Sequence, residues 1–534
     1  MSHQKKALIS ILLGIAIVLG IVIGQLLSFD QEPKLSLQNS GKDKIDNLLQ
    51  YIKDDYVENV NTDSIVDEVA KDIIKNLDPH SVYIPKKDVA NANEALEGEF
   101  TGIGVLFQQY KDTFTVIRPL DNGPAKKSGI KSMDRILMVG KDSLFGHHVD
   151  IHKVSQKIKG KIDTKIKLKI YRKSNDSLFT VDVKRQKIPL VSVPAHFMLN
   201  DSLGLIKITS FADNTYDEFD QATKDLTAQG MTAMILDLRD NSGGLLKQAN
   251  LISDEFLPNG KLIFFTKDKK EKVNKIFATS RGEFEKGKVF VLINENAASA
   301  SEVVAGALQD NDKATIVGRR SFGKGLVQRE MQLGDGSKIR LVTAKYFTPT
   351  GRCIQKAYKK GHAKEYEQNF QNRTTNGELY YKDSIPIIDS LKFTTPKGKI
   401  VYGGGGIIPD IFIPLNTNEQ MYQSKFFAGF LSNSITDYLD KNIKTLSQIS
   451  EKEFIEDENI GKKIYIAFKN SHKSGNNPHK SFVRKRGKKK LENLLKALLA
   501  RDLYGTNAYY KILMQNDAMV QKIFDISQAH DTVE

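Results

Sequence analysis

Between Leu205 and Val317 short apolar runs alternate with amphipathic stretches, and few folds accommodate that order. Leu205-Ile206-Lys207-Ile208, Met234-Ile235-Leu236-Asp237-Leu238, Val289-Phe290-Val291-Leu292-Ile293 and Ala314-Thr315-Ile316-Val317 have the length and β-branched content of strands. The segments Tyr216 to Gln229, Gly244 to Phe256 and Glu302 to Leu308 carry a helical period. Strand and helix in strict turn predict an α/β core built on parallel strands.

The flanks differ in texture. From about Leu35 to Ala95 apolar residues recur at helical steps, as in Ile45, Leu48, Leu49 and Ile52, until Leu77-Asp78-Pro79-His80-Ser81 breaks the pattern. From Gly98 to about Gln186 the runs become short and β-like: Gly102 to Phe107, Phe114 to Ile117, Asp134 to Gly140, and the cleanly alternating Ile166 to Ile170. Pro124 to Ile130 reads as a short helix with a glycine stop. After about Pro414 the chain is helical, lysine-rich and without a readable motif. A chain of 534 residues is in any case too long for one core, since single cores stop growing near about 250–300 residues.

The N-terminus reads as a membrane anchor. Ala7 to Phe29 lacks charge and is mostly Leu, Ile, Val, Gly and Ala, long enough to cross a hydrocarbon core of roughly 30 Å. Lys5 and Lys6 before it and Asp30 and Glu32 after it predict a cytoplasmic N-terminus. The run exceeds the usual ~7–15 residues of a cleaved signal and ends in no small-x-small site, so an uncleaved signal-anchor is expected. The expected location is a single pass in the cytoplasmic (inner) membrane, with the remainder facing the periplasm.

Composition excludes some chemistry. The single cysteine, Cys353, forbids an internal disulfide and a cysteine-built zinc site. The net charge of +15 fits a lysine-rich solvated surface. Basic clusters at Arg484-Lys485-Arg486 and Lys488-Lys489-Lys490 have no interleaved aromatics to stack bases, so no nucleic-acid partner is expected.

Serine chemistry remains. Gly318-Arg319-Arg320-Ser321-Phe322-Gly323-Lys324 has phosphate-loop spacing, but Gly325 stands where a hydroxyl would hold Mg²⁺, and Leu326-Val327-Gln328 looks extended rather than helical. Ser321-x-x-Lys324 matches the serine–lysine pair of penicillin-binding enzymes, yet neither Lys-Thr-Gly nor Ser-Asp-Asn occurs. None of the ten histidines has a triad-like neighbourhood (His147, His148, His472 and His479 among them), and Gly-x-Ser-x-Gly is absent. What is left is Ser299-Ala300-Ser301-Glu302 at a helix mouth, where free N–H groups suit an oxyanion, followed by Gly323-Lys324-Gly325. A serine hydroxyl needs an adjacent base, and a lysine serves only if burial lowers its pKa from about 10.4. Phe322 and Leu326 are apolar neighbours able to do that.

Two resemblances sharpen this reading. Pro124-Ala125-x-x-x-Gly129-Ile130 and Asp134-x-Ile136 resemble a PDZ domain of the kind inserted in bacterial processing proteases, with Met133 where a glycine is usual. The resemblance implies that Gly102, Ile103 and Gly104 hold the terminal carboxylate of a protein tail added as a strand. Val291 to Gln328 is similar to the core of the C-terminal processing (tail-specific) proteases, the S41 serine peptidases. Leu77-Asp78-Pro79-His80-Ser81, Asp237 to Gly244, Tyr346 to Gln355 and Gly406-Ile407-x-Pro409-Asp410 extend the match.

By that resemblance Ser299 is the nucleophile, Lys324 the base 25 positions on, Gln328 the residue that holds the amine, and Gly243 and Ala300 the oxyanion donors. Ser301 caps or packs the helix, and Asp310 serves its C-terminal end. The implied fold is a ClpP/crotonase-like α/β serine-peptidase core with an inserted PDZ domain. The expected divisions are an anchor over 1–29, a helical region over 30–97, a PDZ domain over 98–187, a peptidase core over 188–415 and a helical extension over 416–534. No metal or organic cofactor is implied. Expected partners are protein or peptide C-terminal tails and the membrane, with a homo-oligomer or an adaptor left open. The competing reading is a catalytically inactive envelope scaffold that binds peptides.

Overall fold

The computed structural model describes residues 12–23, 41–145, 150–416, 425–471 and 485–531. His147, His148, His472 and His479 lie outside them. The membrane anchor is corrected: among the described residues no helix is long and apolar enough to cross a membrane. The helix over residues 12–23 has twelve residues, about 18 Å at 1.5 Å each, against a hydrocarbon core of about 30 Å. The remainder of the Ala7–Phe29 run lies outside the described residues, and the single-pass, periplasm-facing placement falls with the anchor.

The described residues up to Asp72 form one unit and those from Ile73 onward a second. The N-terminal helices Gly41–Asp55 and Thr62–Lys75 have the expected periodicity and no buried residue. The second unit opens with strand β1 (Val82–Ile84) and helix α1 (Lys86–Glu97), then β2 (Glu99–Gly102). A sheet follows in the order β3 (Val105–Tyr110), β4 (Thr113–Pro119), β5 (Arg135–Val139), β6 (Lys165–Arg172) and β7 (Ser177–Lys184), with helix α2 (Ile151–Ile158) inserted before β6. These strands pair antiparallel throughout, and β3 is an edge strand. Ile103 and Gly104 separate β2 from β3, so the stretch Gly102–Phe107 is a strand end, a loop and a strand start.

A second, six-stranded sheet runs β8 (Ala195–Met198), β9 (Leu203–Lys207), β10 (Ala233–Asp237), β11 (Lys288–Ile293), β12 (Ala314–Gly318) and, far along the chain, β15 (Ile411–Phe412). Only the β8–β9 pair is antiparallel. Side chains alternate between two covers. Met234, Leu236, Val289, Val291, Ile293 and Ile316 join the core that includes helices Thr215–Thr227, Leu246–Asp254 and α3 (Ala300–Asp310). Ile235, Phe290, Leu292 and Val317 face the other way, onto Met514, Met519, Val520 and Ile523. A strand buried on both faces reads as an unbroken apolar run, and the second cover here is the C-terminal extension.

That extension holds helices α4 (Lys425–Leu446), α5 (Lys485–Tyr504), α6 (Thr506–Met514) and α7 (Ala518–Asp531). It grips the other sheet as well. Tyr110 donates to Asp437 at 2.7 Å, Ser432 donates to Gln108, and Asp440 pairs with Lys173 at 2.6 Å. Met133 sits at φ +67°, the left-handed conformation that a glycine would adopt freely, and its side chain is buried in the core of the extension. The departure at Met133 therefore has a packing partner. Replacing the fully buried Ile523 by Ala is expected to cost about 2–5 kcal/mol, read as a lower midpoint in chemical denaturation.

Between β12 and β15 the chain leaves the sheet to form the hairpin β13 (Leu326–Gln332) and β14 (Lys338–Phe347). Strand β1 pairs with β14, bringing residues 78–81 to the same place. The extended β13 removes the phosphate-loop reading, which needs a helix after the lysine.

Candidate active site

Three loops converge at the carboxyl ends of adjacent parallel strands: 238–245 after β10, 294–299 after β11 and 319–325 after β12. Ligand sites of open α/β sheets form there because the loops of neighbouring strands share one crevice.

Ser299 is the N-cap of α3 and has φ 54° and ψ −112°, a sparsely populated conformation for a side-chain-bearing residue. Gly243 (φ +102°) comes so close that a Cβ there would lie 2.8 Å from Ser299 Cβ and 3.0 Å from Ala300 N. Only glycine fits. Ser299, Ala300 and Gly243 are thus brought together. The Gly243 N–H, however, donates to Asn241 Oδ1 at 2.9 Å, so in this state it is engaged within its own loop. Ser301 is buried and donates to the Asn241 carbonyl at 2.9 Å, a packing role.

Lys324 lies between glycines that permit close backbone approach. A Cβ on Gly325 would stand 2.8 Å from Gln355 N, and one on Gly323 (φ +93°) 3.1 Å from Gly405 C. The Lys324 amine donates to Gln328 Oε1 at 2.8 Å. Burial lowers its pKa below the ordinary lysine value; Glu302 opposes that shift and the Arg340 guanidinium adds to it. The β13–β14 register shifts between Val327 and Gln328, and such an irregularity re-aims a side chain. No hydrogen bond joins the Ser299 hydroxyl to the Lys324 amine.

The two halves are linked through Glu302, which the motif contained but the sequence reading gave no role. Its Oε2 accepts from Ser299 N at 2.9 Å and Lys324 N at 2.8 Å, while Oε1 accepts from Gly323 N at 2.7 Å and from Ser321 Oγ. The backbones of the serine and the lysine are therefore two hydrogen bonds apart across one carboxylate. Glu302 is fully buried, which pushes its carboxyl above the ordinary glutamate value against four donors. Serine three residues before glutamate at a helix start is the spacing of a capping box, and that signal was present in the sequence.

His80 was also missed. Asp78 accepts from the backbone N–H groups of His80 and Ser81, both at 2.7 Å, and the turn so formed aims the His80 carbonyl at Gln328 Nε2, 2.6 Å away. Its ring packs edge-on to Tyr366, with centroids 5.2 Å apart. Burial, followed by the Lys324 charge, pushes it down to about 4, so it is neutral near pH 7. Lys356 is likewise lowered, to about 8 by burial, but its amine lies over the Tyr366 ring and donates to the Tyr366 carbonyl. Asp310 is buried in an ion pair with Arg352 at 2.6 Å and accepts from Thr350, a structural role at the end of α3.

Gly102, Ile103 and Gly104 lie apart from this centre. Ile103 and Gly104 line a groove of about 460 Å³ between β3 and α2, whereas Gly102 ends β2 and does not line it.

The sequence is similar to those of known proteins. Residues 202–364 fit the model of peptidase family S41, and residues 101–183 fit a PDZ domain. A probable CtpA-like serine protease of Staphylococcus aureus (strain MRSA252) is 32% identical over 360 residues, covering 66% of this chain and 71% of that protein. The carboxy-terminal processing protease CtpA of Bacillus subtilis (strain 168) is 33% identical over 322 residues, covering 60% and 68%. A solved photosystem II D1 C-terminal processing protease is similar at 22% identity with a TM-score of 0.36, over 70% of this chain and 87% of that one. The chain belongs to peptidase family S41. It is a serine endopeptidase carrying a PDZ domain, and not the inactive scaffold.

Proposed function

We propose that this chain cleaves proteins near their carboxyl ends by a serine–lysine mechanism, with the PDZ domain recruiting the tail. The observation that carries the reading is the half-buried Lys324, its amine fixed by Gln328 and its backbone N–H joined through Glu302 to that of Ser299. Neutral Lys324 accepts the Ser299 hydroxyl proton as Oγ bonds to the scissile carbonyl carbon. The resulting ammonium returns that proton to the leaving amine as the C–N bond breaks, leaving an acyl-serine. Water then attacks the ester by the same exchange, giving a free carboxylate and regenerating Ser299.

The negative oxygen formed in each attack is taken by the Ala300 N–H at the start of α3 and by the Gly243 N–H, which exchanges Asn241 Oδ1 for the substrate. Gln328, anchored on the His80 carbonyl, keeps the amine from swinging away. The serine–lysine hydrogen bond forms when substrate fills the crevice, as catalytic hydrogen bonds often tighten only in the complex. A fluorophosphonate should label the wild-type protein and not Ser299→Ala, with adduct mass located on the peptide containing Ser299. Equal labelling of both proteins would remove Ser299 as nucleophile.

A further inference from the structure

The PDZ groove has a third wall that the domain itself does not supply. Besides β3 and α2 it is lined by Asn91, Glu94 and Ala95 of α1, which precedes the PDZ match in the chain. Strand β3 is paired with β4 along one edge and faces the groove with the other, so an extended peptide can add there. At the end of α2, Lys159 lines the same groove. Its amine lies 5.1 Å from the centre of the Phe100 ring, on the strand that leads into the Ile103–Gly104 loop. That amine is already paired: it donates to Glu94 Oε2 at 2.5 Å, with both side chains partly exposed. The loop end of the groove therefore holds a lysine whose counter-ion is a carboxylate from outside the domain.

We infer that Lys159 selects the terminal carboxylate of a bound tail and that Glu94 is the resting stand-in which the tail displaces. This rests on tail recruitment by the PDZ groove. An exchange of one carboxylate for another conserves the charge pairing of Lys159, so binding leaves no lysine unpaired in the groove. A peptide that ends in a neutral amide has nothing to offer Lys159 in place of Glu94 and leaves that pair as it is. Lys159 thereby makes the groove discriminate against internal segments and blocked ends, while Glu94 competes with every entering carboxylate.

The test uses the full chain carrying Ser299→Ala, to prevent hydrolysis. Binding is followed by fluorescence anisotropy with a labelled peptide pool degenerate at its last four positions, made as free acids and as amides. Lys159→Met is expected to lower the acid-over-amide preference by about tenfold, the worth of one charge-assisted hydrogen bond, with Lys159→Arg restoring it. Glu94→Gln is expected to tighten acid binding about fivefold and leave amide binding unchanged, and to have no effect when Lys159→Met is present. An unaltered acid-over-amide ratio in Lys159→Met, with the acid pool still binding, would overturn the role of Lys159. Weaker acid binding in Glu94→Gln would overturn that of Glu94. No binding of either pool to any variant would instead overturn tail recruitment itself.

Discussion

Lys324→Met is expected to lower kcat by about 10⁴-fold while the protein unfolds at nearly the wild-type temperature. Methionine keeps the length and burial of the side chain and deletes only the amine, so packing among the surrounding residues is retained. The single polar loss is the bond to Gln328 Oε1, a partly buried oxygen. Peptide binding to the PDZ groove uses none of these atoms and should be unchanged. The wild-type pH dependence carries the same logic. The amine works only when neutral, burial holds its pKa below that of free lysine, and activity therefore rises with pH through that lowered value. Kinetics on a chromogenic peptide, alongside thermal unfolding of both proteins, supply the check. Turnover near the wild-type rate in the variant would remove the lysine from the mechanism.

Glu302→Gln is expected to damage both stability and catalysis. The carboxylate takes four donors, and an amide in the same volume can offer only one oxygen to them while its NH₂ group faces N–H groups. Leaving buried donors unpaired costs about 3 kcal/mol, which for a domain of this size is a fall in Tm of about 10 °C. The catalytic loss should exceed what the folded fraction explains, because Ser299 N and Lys324 N share one oxygen of Glu302. Calorimetry with kcat measured well below the variant's Tm separates the two effects. A variant with normal kcat and a lowered Tm would make Glu302 a purely structural residue. One with both values unchanged would deny it any role in joining the two loops.

The parallel core was legible because each strand buries both faces and so reads as an apolar run bounded by helices. The same property called for a second cover, but its identity was not legible: Met514, Met519, Val520 and Ile523 belong to short helices with no motif. Ser299, Lys324 and Gln328 were expected from the family resemblance, and the structure sets the Lys324 amine on Gln328 and Ser299 on the adjoining loop. Glu302 was written into the same motif, though its work depends on a fold that brings residues 323 and 324 back onto helix α3. His80 escaped because its carbonyl, not its ring, meets Gln328, and a main-chain contact leaves no mark in the choice of side chain. The engagement of the Gly243 N–H by Asn241 was equally invisible, being a matter of loop conformation. At the N-terminus, hydropathy predicted a spanning helix that the described residues do not contain.

The chemistry proposed for Lys324 meets its most direct test in the rate of fluorophosphonate labelling as a function of pH, for the wild type and Lys324→Met. Labelling of the wild type should rise along one ionisation with a midpoint below the roughly 10.4 of free lysine, and the variant should label slowly with no such step. Identical rates and identical profiles for the two proteins would contradict it.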